Sequence, residues 1–207
     1  LCLTALAAVS LLGCSDTKEE QKAAAEPVRG VTDTEIKLGG MHDLSGVFAA
    51  FSSPAVQVAN DMFDEVNAEG GIHGRKIRYI VEDHAYQVPK ATQAVNKLIT
   101  RDEVFAMLMS LGTPHNLAAF PLMDSNNVPS ILPLSLSKQM EEEGDFANRF
   151  VFGPSYYEGV LKGANWMVDE YGIEKACVMY IPSDFGEEVN QAMVDAAEGK
   201  ESLTLVE

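Results

Sequence analysis

From residue 34 onward, short apolar runs alternate with amphipathic helical stretches, and this alternation limits the possible folds more than any other feature. A parallel connection between two strands needs a crossover of a dozen residues or more, which is usually a helix. The sequence therefore predicts an α/β fold with parallel sheets flanked by helices. In a first series the predicted strands are 36–41, 76–81, 104–109 and 130–134, and the predicted helices are 54–69, 89–100 and 114–125.

Helical periodicity places apolar side chains on one face of each predicted helix. In 54–69, Ser53 is expected to cap the helix, Pro54 suits its first turn, and Gly70 can end it. Its inward face is expected to hold Val56, Ala59, Phe63 and Val66. The inward face of the next helix is expected to hold Ala91, Ala94, Val95, Leu98 and Ile99.

A second series has a helix at 156–171, a strand at 175–181, a helix at 186–198 and the start of a strand at 202–206. The acidic, polar run 141–149 separates the series and predicts a crossover between two lobes, lobe 1 at 34–148 and lobe 2 at 149–207. Because the sequence stops on an uncovered strand, lobe 2 is expected to be incomplete. Tyr157 is expected in the core and Tyr156 at the cleft between the lobes.

The first 13 residues carry no charge and are too short to span a bilayer, which takes ~20 apolar residues. They are expected to be the remnant of a secretory signal peptide whose true start is missing. Leu11-Leu12-Gly13-Cys14 resembles a bacterial lipobox, which implies a lipid on Cys14. The alternative is an ordinary signal peptide with an incidental cysteine. Residues 14–33 are polar and are predicted to be a flexible tether.

Composition excludes several classes of partner. The chain has 15 Lys+Arg against 31 Asp+Glu, a net charge of −16, and no basic stripe. An acidic surface repels phosphate backbones and anionic headgroups, so we expect no nucleic-acid partner and no membrane contact beyond a lipid anchor. Cys177 lies in an apolar run and is predicted to be a buried small hydrophobe rather than a nucleophile. No disulfide is expected after Cys14.

Three loops at carboxyl ends of predicted strands have the chemistry of a ligand site. In the loop 44–53 we assign Phe51 to the ligand, whereas Phe48 could be buried. In the loop 110–116 Thr113 is predicted as the N-cap of a helix whose free N–H groups suit a carboxylate. The ligand-site candidates in this loop and in the loop 134–137 are Ser110, Thr113, Asn116, Leu134 and Ser135.

No catalytic or cofactor signature accompanies these loops. The sequence lacks a Gly-x-Ser-x-Gly elbow and a dinucleotide or phosphate-loop fingerprint. His42-Asp43 and Asp83-His84 have no third ligand at helical spacing. We therefore predict no enzyme, no cofactor and no metal site.

The segment from Glu65 to Ile77 (EVNAEGGIHGRKI) resembles the helix end, glycine turn and next strand of the leucine/isoleucine/valine-binding branch of periplasmic binding proteins. Further similar segments are Leu44-Ser45-Gly46, Asn116-Leu117-Ala118, Val128-Pro129 and Ser183-Asp184-Phe185-Gly186. The resemblance covers the chain from about Gly30 onward. It implies a type I fold of two hinged lobes that closes on a small-molecule ligand and delivers it to an ABC permease, as a monomer in the periplasm or on the outer face of the cytoplasmic membrane.

Position by position, the resemblance implies that Phe51 lies beside the ligand, Thr113 binds a carboxylate, and Phe185 closes over the ligand from lobe 2. Two positions depart from the amino-acid binders, because Leu136 replaces a threonine and Phe185 replaces a tyrosine. These departures favour an amino-acid-like, amide or aromatic-acid ligand over a plain branched-chain amino acid. Two other functions stay open: a sensory module, which predicts a signalling segment downstream, and an exported hydrolase, which predicts turnover.

Overall fold

The computed structural model describes residues 27–142 and 148–206. The predicted signal remnant, Cys14 and most of the predicted tether lie outside these residues.

One parallel sheet forms the centre of the first half. Its strands are β1 (Glu35–His42), β2 (Lys76–Asp83), β3 (Ala106–Leu108), β4 (Ser130–Ile131) and β5 (Arg149–Phe150), in the order β2-β1-β3-β4-β5. β1 pairs with β2 along its whole length, and Leu38 lies opposite Ala106 of β3 on its other side. The strand order therefore reverses at β1, and the crevice at such a switch point is where open α/β sheets bind ligands.

Helices cover both faces of this sheet. They are α1 (Ala49–Ala68), α2 (Val88–Asn96), which continues as a π-helical turn at Lys97–Arg101, α3 (Thr113–Ser125) and the short α4 (Gln139–Glu142). The predicted inward face of α2 is confirmed, since Ala91, Val95, Leu98 and the other members are buried. We call this unit lobe 1. Its core consists of Met41, Ala91, Ala94, Val95, Leu98, Ile99, Val104, Met107, Ala119, Phe120, Met123, Val128 and Met140.

Two predicted helix caps, Ser53 and Thr113, are wrong. α1 begins at Ala49 rather than at residue 54, so Ser53 is an exposed residue inside the helix and Pro54 is also internal. The helix can begin early because the Asp43 carboxylate accepts the N–H groups of Gly46 and Phe48 and holds the turn that leads into it. In α3 the N-cap is Gly112, with φ +97°, and Thr113 is the first helical residue.

The second unit, which we call lobe 2, contains α5 (Tyr156–Tyr171), β6 (Lys175–Ala176), α6 (Asp184–Gly199) and β7 (Thr204–Leu205). The predicted bounds of α5 are confirmed. Ser155 caps it by accepting the N–H of Glu158, and Gly172 ends it in the left-handed conformation. The two helices pack around Ala164, Ala196 and Leu203.

The strand predicted at 175–181 is shorter than expected. β6 pairs with β7 only at Lys175 and Ala176, and the following apolar residues are not in a strand. Cys177 is exposed, which contradicts its predicted burial, and Met179 is 99% exposed. A pairing strand on that side would be needed to bury this run, and the described residues provide none.

Arg149–Phe150 pairs with β4, so the sheet of lobe 1 reaches past the predicted boundary at 148.

Among the described residues, none of the helices is both long enough and apolar enough to cross a bilayer.

Candidate functional site

A cavity of about 260 Å³ lies between the carboxyl edge of the lobe 1 sheet and the helix starts of lobe 2. Most of its walls are aromatic or aliphatic, and no charged side chain belongs to the described lining. The lining residues are Phe48, Phe51, Tyr86, Leu111, Gly112, Thr113, Leu134, Tyr156 and Phe185. Such a space suits a small molecule with a substantial apolar part.

The start of α3 supplies the polar part of this cavity. The first N–H groups of a helix have no partner within the helix and carry partial positive charge. Thr113 Oγ1 lies 2.8 Å from Ser135 Oγ, so one hydroxyl of the pair donates to the other. Among the residues that the structure describes, neither hydroxyl contacts a further acceptor. When Ser135 donates, the Thr113 hydroxyl can donate to a ligand in the cavity, beside the helix start.

Two carboxylates shape the loops around the opening. Asp43 organises the turn before α1, as described above. Asp83 accepts the N–H groups of Leu44 and Ala85 and the hydroxyl of Ser45, and so joins the loops that follow β1 and β2. Partial burial opposes ionisation of Asp83, but these hydrogen bonds outweigh it and lower the pKa of its carboxyl. The loops that carry the aromatic lining are therefore fixed to each other.

The aromatic walls form two sets. In lobe 1 four aromatic rings form a continuous series of contacts. The ring centroids of Phe48 and Tyr86 are 4.5 Å apart, those of Tyr86 and His115 are also 4.5 Å apart, and His115 stacks on His84 with the centroids 4.2 Å apart. In lobe 2 the rings of Tyr156 and Phe185 meet edge to face at 4.9 Å. Ring-to-ring packing of this kind holds side chains in fixed orientations.

His42 is fully buried beneath the site, and its partners define its tautomer. The Tyr79 hydroxyl donates to the carbonyl of Leu108 and therefore accepts from His42 Nε2, at 2.7 Å. His42 Nδ1 then accepts from the Ser52 hydroxyl, at 2.9 Å. Burial, with a smaller repulsion from His84, lowers the pKa of His42 to about 4, and burial raises the pKa of Tyr79. The imidazole is neutral at pH 7.

His84 is neutral for similar reasons. Its Nδ1 accepts the N–H of Tyr86 and its Nε2 donates to the carbonyl of Leu111. Burial and the adjacent His115 lower the pKa of His84 to about 4. Burial also lowers the pKa of His115, although the nearby Tyr86 backbone opposes the change, and its ring nitrogens make no hydrogen bond of good geometry among the described residues. No group of three or more metal-ligating side chains occurs in the described ranges.

The structure brings four of the seven predicted ligand residues to the cavity, namely Phe51, Thr113, Leu134 and Phe185. The other three support it from behind. Ser110 Oγ accepts the N–H of Met41, the Asn116 amide donates to the carbonyls of Ser110 and Gly112, and Ser135 contacts Thr113. Leu136 lies in a separate small cavity with Val151 and Gly153.

The sequence argument missed Tyr86, Leu111 and Gly112, and it left Phe48 undecided. Phe48 and Tyr86 line the cavity together. The position of Tyr86 in the sequence could have indicated its role, because it follows the end of β2 just as the three chosen loops follow their strands. Tyr156, expected at the cleft, lies there.

Comparison with known proteins supports the interpretation of this fold. A family model described as periplasmic binding protein matches residues 35–203. The chain belongs to this family. The match includes lobe 1 from β1 onward, lobe 2 as far as residue 203, and all seven predicted ligand residues.

Individual relatives agree with this assignment. The chain is 25% identical over 194 residues to a protein from Pseudomonas aeruginosa described as an amino acid binding protein, covering 94% of this chain and 47% of the relative. A fatty acid ABC transporter substrate-binding protein from Thermomonospora curvata has a TM-score of 0.76 at 29% identity, over 86% of this chain and 45% of the other. A branched-chain amino acid ABC transporter structure from Thermus thermophilus with bound valine has a TM-score of 0.75 at 21% identity, over 85% and 45%. The chain thus spans about half the length of these relatives.

Proposed function

We propose that this protein captures a small organic acid, or an amide of similar shape, between its two lobes and delivers it to an ABC importer. The observation that carries the proposal is the aromatic cavity that both lobes line, with the start of α3 and the Thr113 hydroxyl as its polar part. Within the described lining no nucleophile has an adjacent base, so the geometry favours binding over catalysis.

The polar part of the site favours an acid head group. A carboxylate accepts hydrogen bonds from N–H groups at a helix start and gains from their partial positive charge. The Pseudomonas relative is described as an amino acid binding protein and the Thermomonospora relative as a fatty acid binder, and both kinds of ligand carry a carboxylate. The apolar walls then select the rest of the ligand by size and shape.

Membership of a periplasmic binding protein family implies an extracytoplasmic location. We further propose that Cys14 carries a lipid that retains the protein at a membrane surface and that residues 14–33 are the tether, with the lobes acting as a monomer. Radiolabelled palmitate should be incorporated into the wild-type protein, and incorporation into Cys14→Ser would contradict the anchor.

Calorimetry on the full-length protein tests the binding function, with leucine, valine, octanoate, benzoate and benzamide as ligands. A bound ligand at a hundredfold excess over Kd should stabilise the fold by ~2.7 kcal/mol, which a thermal scan detects. Phe185→Ala removes one aromatic wall and should weaken binding by about tenfold or more. The matched control is Phe152→Ala, because Phe152 is exposed and does not line the cavity. If none of these ligands binds, or if both variants bind like the wild type, the proposal is wrong.

A further inference from the structure

Tyr86 occupies an unusual backbone position. Ala85 and Tyr86 are consecutive non-glycine residues with left-handed φ values of +48° and +53°. Side chains disfavour this region, so the surrounding structure must hold the turn. It does so with three hydrogen bonds: Ala85 N–H to Asp83, Tyr86 N–H to His84 Nδ1, and Gln87 N–H to the carbonyl of His84.

The turn places the large side chain of Tyr86 at the site. The Tyr86 ring is packed between Phe48 and His115, each at 4.5 Å, and forms part of the cavity wall. His115 is itself fixed by its stack on His84. The ring of Tyr86 is therefore oriented before any ligand arrives.

The hydroxyl of Tyr86 is a polar group that can form a hydrogen bond with a ligand. Among the described residues it has no hydrogen-bond partner, and it belongs to a half-buried side chain in an otherwise apolar wall. Burial, together with Tyr156, Asp43 and Asp184 nearby, raises its pKa, so the group remains a neutral donor. Tyr156 brings a second phenol from lobe 2. A hydroxyl held in an apolar wall penalises any ligand that leaves it unpaired.

We propose that Tyr86 determines specificity by hydrogen bonding to a second polar group on the body of the ligand, so that the preferred ligand is an acid with a hydroxylated or otherwise hydrogen-bonding ring. This inference rests on the proposed binding function. The carboxylate would lie at the start of α3, the ring between the aromatic walls, and the substituent at the Tyr86 hydroxyl. Thr113 and Tyr86 therefore have separate roles.

Isothermal titration of the full-length protein with matched acids tests the role of Tyr86. The pairs are benzoate against 3- or 4-hydroxybenzoate and 3-phenylpropionate against 3-(4-hydroxyphenyl)propionate. The wild type should prefer the hydroxylated member of at least one pair by about fivefold or more, as one neutral hydrogen bond allows. Tyr86→Phe keeps the ring and its packing, and it should abolish that preference, because the hydroxylated acid loses a hydrogen bond and the unsubstituted acid no longer leaves a hydroxyl unpaired.

The matched control is Tyr171→Phe, the same chemical change at an exposed tyrosine outside the cavity, which should leave every affinity unchanged. The inference is overturned if Tyr86→Phe retains the preference, or if the wild type binds both members of each pair equally. It is also overturned, with the binding function intact, if leucine or octanoate binds and none of the ring acids does. Absence of binding by every acid would remove both proposals together.

Discussion

At the scale of single residues, the buried carboxylate of Asp43 and the buried imidazole of His42 make structural hydrogen bonds that local sequence rules do not predict. Asp43 holds the turn that leads into α1, where Ser53 was expected to act as a cap. His42 connects Ser52 of α1 to Tyr79 of β2. Both groups are fully buried and hydrogen-bonded, so removing either leaves unpaired polar partners in the interior.

The buried histidines make stability depend on pH. In the unfolded chain an imidazole takes up a proton near pH 6.5, whereas His42 and His84 in the folded protein do so near 4. Between these values the unfolded state binds more protons, so acidification lowers the free energy of unfolding, by up to ~3 kcal/mol per histidine. Above pH 6.5 both histidines are neutral in the folded and in the unfolded state, so they do not lower the free energy of unfolding there. Urea unfolding measured from pH 7 to pH 4 should show the decline.

Variants separate this effect from general acid sensitivity. His84→Gln should be less stable at pH 7 but should lose less stability on acidification, because one of the buried bases is gone. His73→Asn is the control, since His73 is exposed and has a left-handed φ of +50° that asparagine tolerates. Equal slopes for His84→Gln and the wild type would contradict the assignment of the pH dependence to His84.

At the scale of elements, close backbone contact decides where α6 lies. A Cβ added to Gly186 would be 1.9 Å from the carbonyl oxygen of Ile181, so glycine allows the first turn of α6 to pack against the preceding segment. Gly186→Ala should therefore lower the free energy of unfolding by ~1–3 kcal/mol. Gly199, in the same helix, has open space around its Cα, so Gly199→Ala should be neutral or slightly stabilising. Thermal unfolding of the two variants compares them, and equal losses would contradict the packing argument.

At the scale of the whole molecule, Glu188 connects the lobes. It lies in α6 yet is buried, and its carboxylate accepts the hydroxyl of Ser137 and the N–H groups of Lys138 and Tyr157. Ser137 and Lys138 follow β4 of lobe 1, and Tyr157 is in the first turn of α5. One side chain of α6 thus satisfies donors from lobe 1 and from α5.

Removing this carboxylate should loosen the interface. Glu188→Ala leaves three donors without an acceptor, one of them buried and two partly buried, and we expect a loss of ~2–3 kcal/mol in the free energy of unfolding. Trp166 is the one tryptophan of the sequence and lies in α5, so its fluorescence reports on lobe 2. In the variant this fluorescence should change at a lower urea concentration than the far-ultraviolet circular dichroism. The exposed neighbour gives the control Glu187→Ala, and identical unfolding of the two variants would argue against an interlobe role.

The order and type of the elements follow from the sequence, because apolar periodicity and glycine or serine boundaries are local properties. The helix α5, with Ser155 before it and Gly172 after it, has the bounds that its pattern predicts. The same logic locates candidate residues at strand ends, and Phe51, Thr113 and Leu134 do line one cavity, together with Phe185, which the family resemblance supplied. Local chemistry is sufficient wherever an element makes its own hydrogen bonds and buries one regular face.

Tertiary structure decides the features that depend on residues distant in the chain. Asp83 joins the loops after β1 and β2 through Leu44 and Ser45, the exposure of Cys177 follows from strand pairing that stops at Ala176, and Tyr86 is held at the cavity between the rings of Phe48 and His115. None of these can be read from periodicity, because backbone polar groups accept whichever partner the packed molecule supplies. The sequence determined which segments form helices and strands, and their packing determined which side chains meet a ligand.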